Sequence, residues 1–187
     1  MTTITTSTRD LATALRKLYF VRFGFAIIWA ILIIATGGDI DAFTATLLVI
    51  YPLFDVGAAL VDLRASRATR PAAGLYVNIA LSTATAIGLG IAAASGEPAV
   101  LRVWGAWAIT AGIVQLAVAV TRRRLGGQVP QILSGGISVL AGGSFIAAAS
   151  ADDPTLTNIA GYAVLGGIFF LVSALRLNRA SGVDQDA

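Results

Sequence analysis

The sequence contains no cysteine and no histidine. Without cysteine there can be no disulfide bond and no thiol nucleophile, and without histidine there is no Ser-His-Asp triad and no usual zinc or haem ligand set. Charged residues are also scarce, at 12% of the 187 residues, against about a quarter in soluble proteins. The sequence therefore predicts no catalytic residues, no metal site and no cofactor.

Hydrophobic residues dominate instead, at 57% of the chain, and the mean hydropathy is +0.83. They fall into six runs, each close to the roughly 20 residues that a helix needs to cross the hydrocarbon core. The runs are Leu18–Gly37, Phe43–Val61, Ala72–Ser95, Pro98–Val120, Gln131–Ser150 and Leu156–Leu175. We therefore predict an all-α integral membrane bundle of six transmembrane helices (18–176), between a polar, basic N-terminal tail (1–17) and a C-terminal tail (177–187).

Basic residues indicate how the bundle is oriented. Twelve of the thirteen lysines and arginines lie before or at the start of the first run, after the last run, or in the second and fourth connections, and Arg102 is the exception. The opposite connections carry acids at 39, 41, 97, 152 and 153. Because basic connections stay in the cytoplasm, both termini are predicted to be cytoplasmic. The same distribution leaves no continuous basic face for nucleic acid.

The chain also repeats itself at the level of helical hairpins. The sequence IAAAS occurs at Ile91–Ser95 and again at Ile146–Ser150, and at the same spacing Trp107-Ala108 corresponds to Tyr162-Ala163. A looser copy lies in the first hairpin. We predict three hairpin repeats, at 18–63, 72–121 and 131–176, that run parallel because each crosses the membrane twice.

These hairpin repeats, at Leu75–Val120 and Gln131–Arg176 with Tyr19–Leu63 as a divergent first unit, resemble the HdeD-like family of short-repeat membrane proteins. The resemblance covers nearly the whole chain and rests on the repeat pattern. It implies a multi-pass protein of the plasma membrane with a role in the bacterial envelope or in acid stress. It implies no catalytic residue.

Small residues at four-residue spacing predict where helices approach closely, since lipid provides no hydrophobic drive between helices. The predicted contact residues include the pairs Ser138/Gly142 and Gly143/Ala147. Trp104 and Trp107 lie near the predicted outer face, and their position predicts anchors at the membrane interface.

Two ionisable residues lie within the predicted spans, where a charge is costly. Arg22 is about one helical turn inside the first helix and Asp55 about two turns inside the same end of the second. The two can therefore meet, either as a salt bridge that locks the hairpin or as part of a transport or proton-relay site. The third alternative leaves Arg22 extended to lipid headgroups and Asp55 protonated.

Asn78 and Gln115 lie at similar depth in the second hairpin. Each could fasten helices by a hydrogen bond, and with Arg22 and Asp55 they could also line a polar pocket facing the cytoplasm. Two functions stay open. The first is a non-catalytic membrane protein that acts through packing or through partners, such as a second copy of the chain or another membrane protein. The alternative is a small transporter or channel that uses this pocket for a substrate of unknown identity.

Overall fold

The apolar runs form helices in a computed structural model of the protein, which describes residues 2–66, 72–121 and 129–183. All regular structure in these ranges is helical: α1 (Thr2–Ala35), α2 (Ala42–Ser66), α3 (Ala73–Ala92), α4 (Glu97–Thr121), α5 (Val129–Ala148) and α6 (Thr157–Val183), with a 3-10 turn at Ala93–Ser95 after α3. The prediction of an all-helical fold is confirmed.

Each of the six helices is long and apolar enough to cross a membrane. In the most apolar window of each span, no more than 39% of the residues are buried inside the protein. Large side chains such as Ile91 (69% exposed) and Leu140 (76%) lie on the outer surface. Such a surface is stable only against hydrocarbon, so the chain is a multi-pass membrane protein in contact with the bilayer.

The terminal helices are longer than the apolar runs. α1 starts at Thr2 and so includes most of the segment predicted as the N-terminal tail. Its apolar span begins at Leu11, and Leu15 is only 2% exposed, so packing begins before Leu18. α6 likewise continues to Val183, beyond the predicted limit of the bundle at 176.

The connection between α1 and α2 reverses the chain in a short turn. Gly37 and Gly38 have φ angles of +71° and +92°, a region that side chains with a Cβ rarely adopt. Asp41 then accepts a hydrogen bond from the backbone N–H of Thr44, at 2.7 Å, and caps α2. The hydrogen bond from the backbone N–H of Thr44 lowers the pKa of the Asp41 carboxyl group.

The helices pack in chain order, and α6 closes the arrangement by packing against α1. The most extensive contacts are α4 with α5, α1 with α6 and α2 with α3, whereas α5 and α6 touch little. The two helices of one predicted hairpin therefore pack less closely than neighbouring helices that belong to different hairpins. A three-hairpin repeat would give such an order, but the repeat itself stays a prediction.

Glycine allows the contact between α4 and α5. A Cβ atom on Gly105 would lie 2.6 Å from the carbonyl oxygen of Gly142, and one on Gly112 would lie 2.7 Å from that of Gly135. The two backbones therefore touch at two levels, as at other small-residue contacts in membranes. We call these four residues the glycine interface. Gly143, which fits the same sequence pattern, has open space where its Cβ would be.

Candidate functional site

The two ends of the bundle differ in charge, and the position of the site is described relative to them. The acidic end is where α1, α3 and α5 finish, and it carries Asp39, Asp41, Glu97, Asp152 and Asp153. The basic end is where these helices begin and where α2, α4 and α6 finish. The basic connections at 67–71 and 122–128 lie outside the described residues.

Six aromatic side chains from α1, α2 and α4 fill the bundle on the acidic-end side of the site: Phe25, Trp29, Tyr51, Phe54, Trp104 and Trp107. In this aromatic cluster, the rings of Trp29 and Trp104 stack at 5.3 Å, and both residues are almost fully buried. Trp29 also donates a hydrogen bond to the carbonyl of Leu47 in α2.

The prediction that Trp104 and Trp107 anchor the protein at the membrane interface is wrong. Trp104 is fully buried and its ring lies 5.4 Å from that of Trp107. Position along the helix gave the right depth for a headgroup anchor, but α4 turns this face toward α1 and α2. Packing against other aromatic rings buries more of the apolar surface of the indole rings than a position among the lipid headgroups would.

Arg22 and Asp55 lie one helical turn from this cluster, toward the basic end. The guanidinium Nη2 of Arg22 donates to Oδ1 of Asp55, and the two form an ion pair between α1 and α2. Their side chains are only 17% and 11% exposed. Of the alternatives drawn from the sequence, the structure has the pair in contact, with Arg22 turned inward.

The other carboxylate oxygen of Asp55 is bonded to α3. Its Oδ2 accepts hydrogen bonds from Nδ2 of Asn78, at 2.7 Å, and from Oγ of Ser82, at 2.8 Å. Ser82 is fully buried. Arg22, Asp55, Asn78 and Ser82, which we call the polar cluster, thus join three helices through one carboxylate.

Ser82 is a member of the site that the sequence analysis missed. A single serine in an apolar helix carries no signal of its own, because serine commonly bonds to the carbonyl four residues earlier. Its spacing from Asn78 was the available signal, because residues four positions apart lie on the same face of a helix. If Asn78 faces Asp55, Ser82 faces Asp55 as well.

Gln115 does not join the polar cluster. Its Nε2 donates instead to the backbone carbonyl of Gln131 at the start of α5, at 3.2 Å. It lines the same cavity as Arg22, Asp55 and Asn78. The four residues singled out from the sequence therefore surround one space, but only three of them are bonded to one another.

The cavity has a volume of about 310 Å³ and receives side chains from all six helices. Tyr51 and Trp107 of the aromatic cluster form its wall toward the acidic end, and Pro130 lies at its rim in the first turn of α5. Further polar groups come from α4, α5 and α6: Gln115, Gln131, Ser134, Ser138, Tyr162 and Ser173. α5 and α6, which contact each other little, both line this space.

A second cavity of about 290 Å³ adjoins the first between α3, α4 and α5. The two share the polar residues Asn78, Gln115 and Gln131 and the apolar Ala111, and the remaining lining of the second cavity is apolar, for example Leu75 and Val118. The polar groups are thus concentrated in the first cavity, which we call the polar cavity.

Arg22 is held against the wall of the polar cavity by an aromatic ring. Its guanidinium carbon lies 4.1 Å above the ring of Phe170 in α6, within the range of a cation–π contact. The ion pair with Asp55 and this stacking fix the direction of the guanidinium. Chemically, the site offers a positioned cation, a carboxylate and several neutral donors beside a space for a small molecule.

Comparison with known proteins adds no assignment. No family model matches the chain, and no characterised protein or solved structure is significantly similar to it.

Proposed function

We propose that this membrane protein admits a small polar solute into the polar cavity from the basic end, as a small transporter or channel without catalytic activity. The observation that carries the proposal is the position of the Arg22–Asp55 pair on the wall of that cavity. Ionisable groups at membrane depth are costly, and where they face a cavity they commonly mark a substrate or ion path.

The surroundings of the pair support this proposal. A cavity of about 310 Å³ lies at the lower end of the range for small-molecule sites, about 300–1,000 Å³. It mixes aromatic walls with polar groups, which is typical of such sites. The buried Trp29 and Trp104 fill the bundle on the acidic-end side of the cavity, so we expect a solute to enter from the basic end.

The second candidate is a role in packing alone. Asp55 accepts hydrogen bonds from three side chains on two neighbouring helices, so both of its carboxylate oxygens have hydrogen-bond partners. A buried carboxylate satisfied in this way can fasten a bundle without binding anything. The protein would then act through its surface or through partners, which include a second copy of the chain.

The cellular setting of the proposal comes from the sequence. The distribution of basic residues supports a protein of the plasma membrane with both termini in the cytoplasm, and the basic end is then the cytoplasmic end. The resemblance to the HdeD-like family, with its envelope or acid-stress role, stays a prediction.

A cysteine placed in the cavity distinguishes the two candidates, since the native chain has no cysteine to react. We expect Ser134→Cys in the polar cavity to react with an impermeant, hydrophilic thiol reagent in inside-out vesicles, which expose the basic end. In right-side-out vesicles the reaction should be much slower, because the aromatic cluster separates the cavity from that side.

Leu140→Cys is the matched control on the same helix, because Leu140 is 76% exposed on the lipid-facing surface. It should react from neither side. If Ser134→Cys is also unreactive from both sides, the bundle is dry and the packing role is supported. Equal reaction of Ser134→Cys from both sides would contradict the predicted orientation of access.

A further inference from the structure

The two carboxylate oxygens of Asp55 have separate partners. Oδ1 accepts from Arg22 on α1, whereas Oδ2 accepts from Asn78 and Ser82 on α3. The side chain is therefore anchored to α3 whether or not Arg22 is bonded to it. Oδ1 can exchange its partner while Asp55 stays where it is.

The guanidinium of Arg22 has further N–H donors besides the one that bonds to Asp55. One guanidinium nitrogen bonds to Asp55, and the stacking on Phe170 keeps the whole group in place. Its side chain lines the polar cavity and is 17% exposed there. Trp107 lines the same cavity, and within the described part of the chain its buried indole N–H has no hydrogen-bond partner.

Charge balance limits what can happen at this depth. Arg22 stays protonated in proteins, and a cation without a counter-charge is costly in a low-dielectric interior. Asp55 supplies that charge while it is ionised. If Oδ1 takes up a proton, the carboxyl group becomes neutral, and another anion must balance Arg22.

Among the described residues that line the polar cavity, Arg22 is the only charged one besides Asp55, and the other titratable ones are Tyr19 on α1, Tyr51 on α2 and Tyr162 on α6. Tyrosines are neutral at neutral pH. Helices α3, α4 and α5 contribute only neutral side chains to the lining.

We propose that the polar cavity binds a small monovalent anion on Arg22 together with one proton on Asp55. The proton passes from water to Oδ1, the ion pair opens, and the anion takes the place of the carboxylate beside the guanidinium. The charge of the site is unchanged, because one positive and one negative charge enter together. This inference rests on the function proposed above and specifies its solute.

The lining indicates the class of anion. The ring of Phe170 stacks on the guanidinium of Arg22, and Tyr51 and Trp107 line the same cavity together with neutral donors. A single negative charge on a small, partly apolar body fits such a wall, as in a short-chain carboxylate or sulfonate. A dianion would leave one charge unbalanced.

Calorimetry of the full-length protein in detergent tests the coupling directly. The probe is methanesulfonate, which does not itself titrate from acidic to neutral pH. Titrations in buffers of different ionisation enthalpy give the number of protons bound with the anion, and we expect about one per anion. The affinity should then rise about tenfold for each unit by which the pH falls while free Asp55 is ionised.

Three variants make the outcome decisive. Asp55→Asn should bind methanesulfonate with no proton uptake, because Arg22 then lacks its internal counter-charge at every pH. The neutral double variant Arg22→Gln/Asp55→Asn should fold and bind none. Arg102→Gln, which removes an arginine near the acidic end, should behave like the wild type.

Absence of methanesulfonate binding, binding without proton uptake, or proton uptake that persists in Asp55→Asn would each overturn the coupling. These results leave the proposed function intact if Ser134→Cys still reacts from the basic end, because the cavity would then admit a solute of another kind. If Ser134→Cys is unreactive as well, both proposals fail.

Discussion

The glycine interface and the polar cluster hold neighbouring helices together in opposite ways. Between α4 and α5 the closest approach is that of the two backbones, which meet at Gly105–Gly142 and Gly112–Gly135. Between α1, α2 and α3 the helices are joined by an ion pair and two hydrogen bonds on Asp55. The first contact leaves no space for another molecule, whereas the second borders a cavity.

The difference shows which contact is suited to change. Close backbone packing has one arrangement, because any shift opens a void or causes a clash. A hydrogen-bonded carboxylate can exchange one partner for another at similar free energy. The lipid-embedded bundle thus combines a fixed pair of helices with a polar junction whose partners are replaceable. We expect stability to depend on both and solute binding only on the polar cluster.

The largest expected effect comes from breaking the ion pair on one side. Arg22→Ala or Asp55→Ala leaves the remaining charge buried without its partner, and such losses cost about 3–5 kcal/mol. The double variant should recover part of this loss, because no unmatched charge remains. The measurement is the temperature at which each variant in detergent loses its monodisperse fraction. Additive losses in the double variant would show that the two charges do not depend on each other.

The polar cluster shows how much of the fold and of the site can be predicted from the sequence. The six spans follow from the length of the apolar runs, because hydrocarbon thickness imposes that length on any helix that crosses it. The approach of Arg22 to Asp55 follows from their similar depth in an antiparallel hairpin, because the long arginine side chain spans the remaining turn. Which further groups complete the site depends on helix rotation, which depth does not specify. Gln115 accordingly bonds to Gln131 rather than to Asp55.

The glycine interface shows the same limit. Gly142 and Gly143 both fit a spacing of small residues, but a helix presents them about 100° apart. Only the packing of α4 decides that Gly142 is the contact residue. Gly105 and Gly135 were missed because neither has a small residue four positions away in its own helix.

An intermediate effect is expected at the glycine interface. In Gly142→Ala the new Cβ would lie 2.5 Å from the carbonyl oxygen of Gly105 and 2.9 Å from the backbone nitrogen of Ile109. Neither backbone can yield without moving a helix, so we expect a loss of about 1–3 kcal/mol, the usual cost of overpacking. The readout is thermal stability in detergent, with methanesulfonate affinity measured in parallel.

Gly143→Ala is the control one residue away, since its Cβ would meet nothing within 4 Å. Alanine favours a helix over glycine, so this variant should be as stable as the wild type or slightly more stable. Equal destabilisation by the two substitutions would mean that the α4–α5 contact does not depend on close backbone approach. A change in anion affinity in folded Gly142→Ala would contradict the separation of the two regions.

The smallest effect is expected from Ser82→Ala, which removes one donor from Oδ2 of Asp55 and leaves Asn78 in place. Hydrogen bonds between membrane helices contribute about 0.6 kcal/mol on average, with a maximum near about 1.7 kcal/mol. Ser82 is fully buried and its bond is 2.8 Å long, so we expect a loss in the upper part of this range. Thermal stability in detergent again provides the measurement.

Ser144→Ala is its counterpart on α5, where the exposed hydroxyl donates only to the carbonyl of Ala141 in its own helix. It should change stability very little, because no contact between helices is lost.

Ser82→Ala has a second consequence that packing alone does not predict. Without the Ser82 hydroxyl, the carboxylate of Asp55 is less well stabilised in the polar cluster, so less free energy is lost when the solute anion replaces it beside Arg22. Methanesulfonate should therefore bind Ser82→Ala more tightly than the wild type at neutral pH. An unchanged affinity in a destabilised Ser82→Ala would show that the bond to α3 fastens the bundle without taking part in binding.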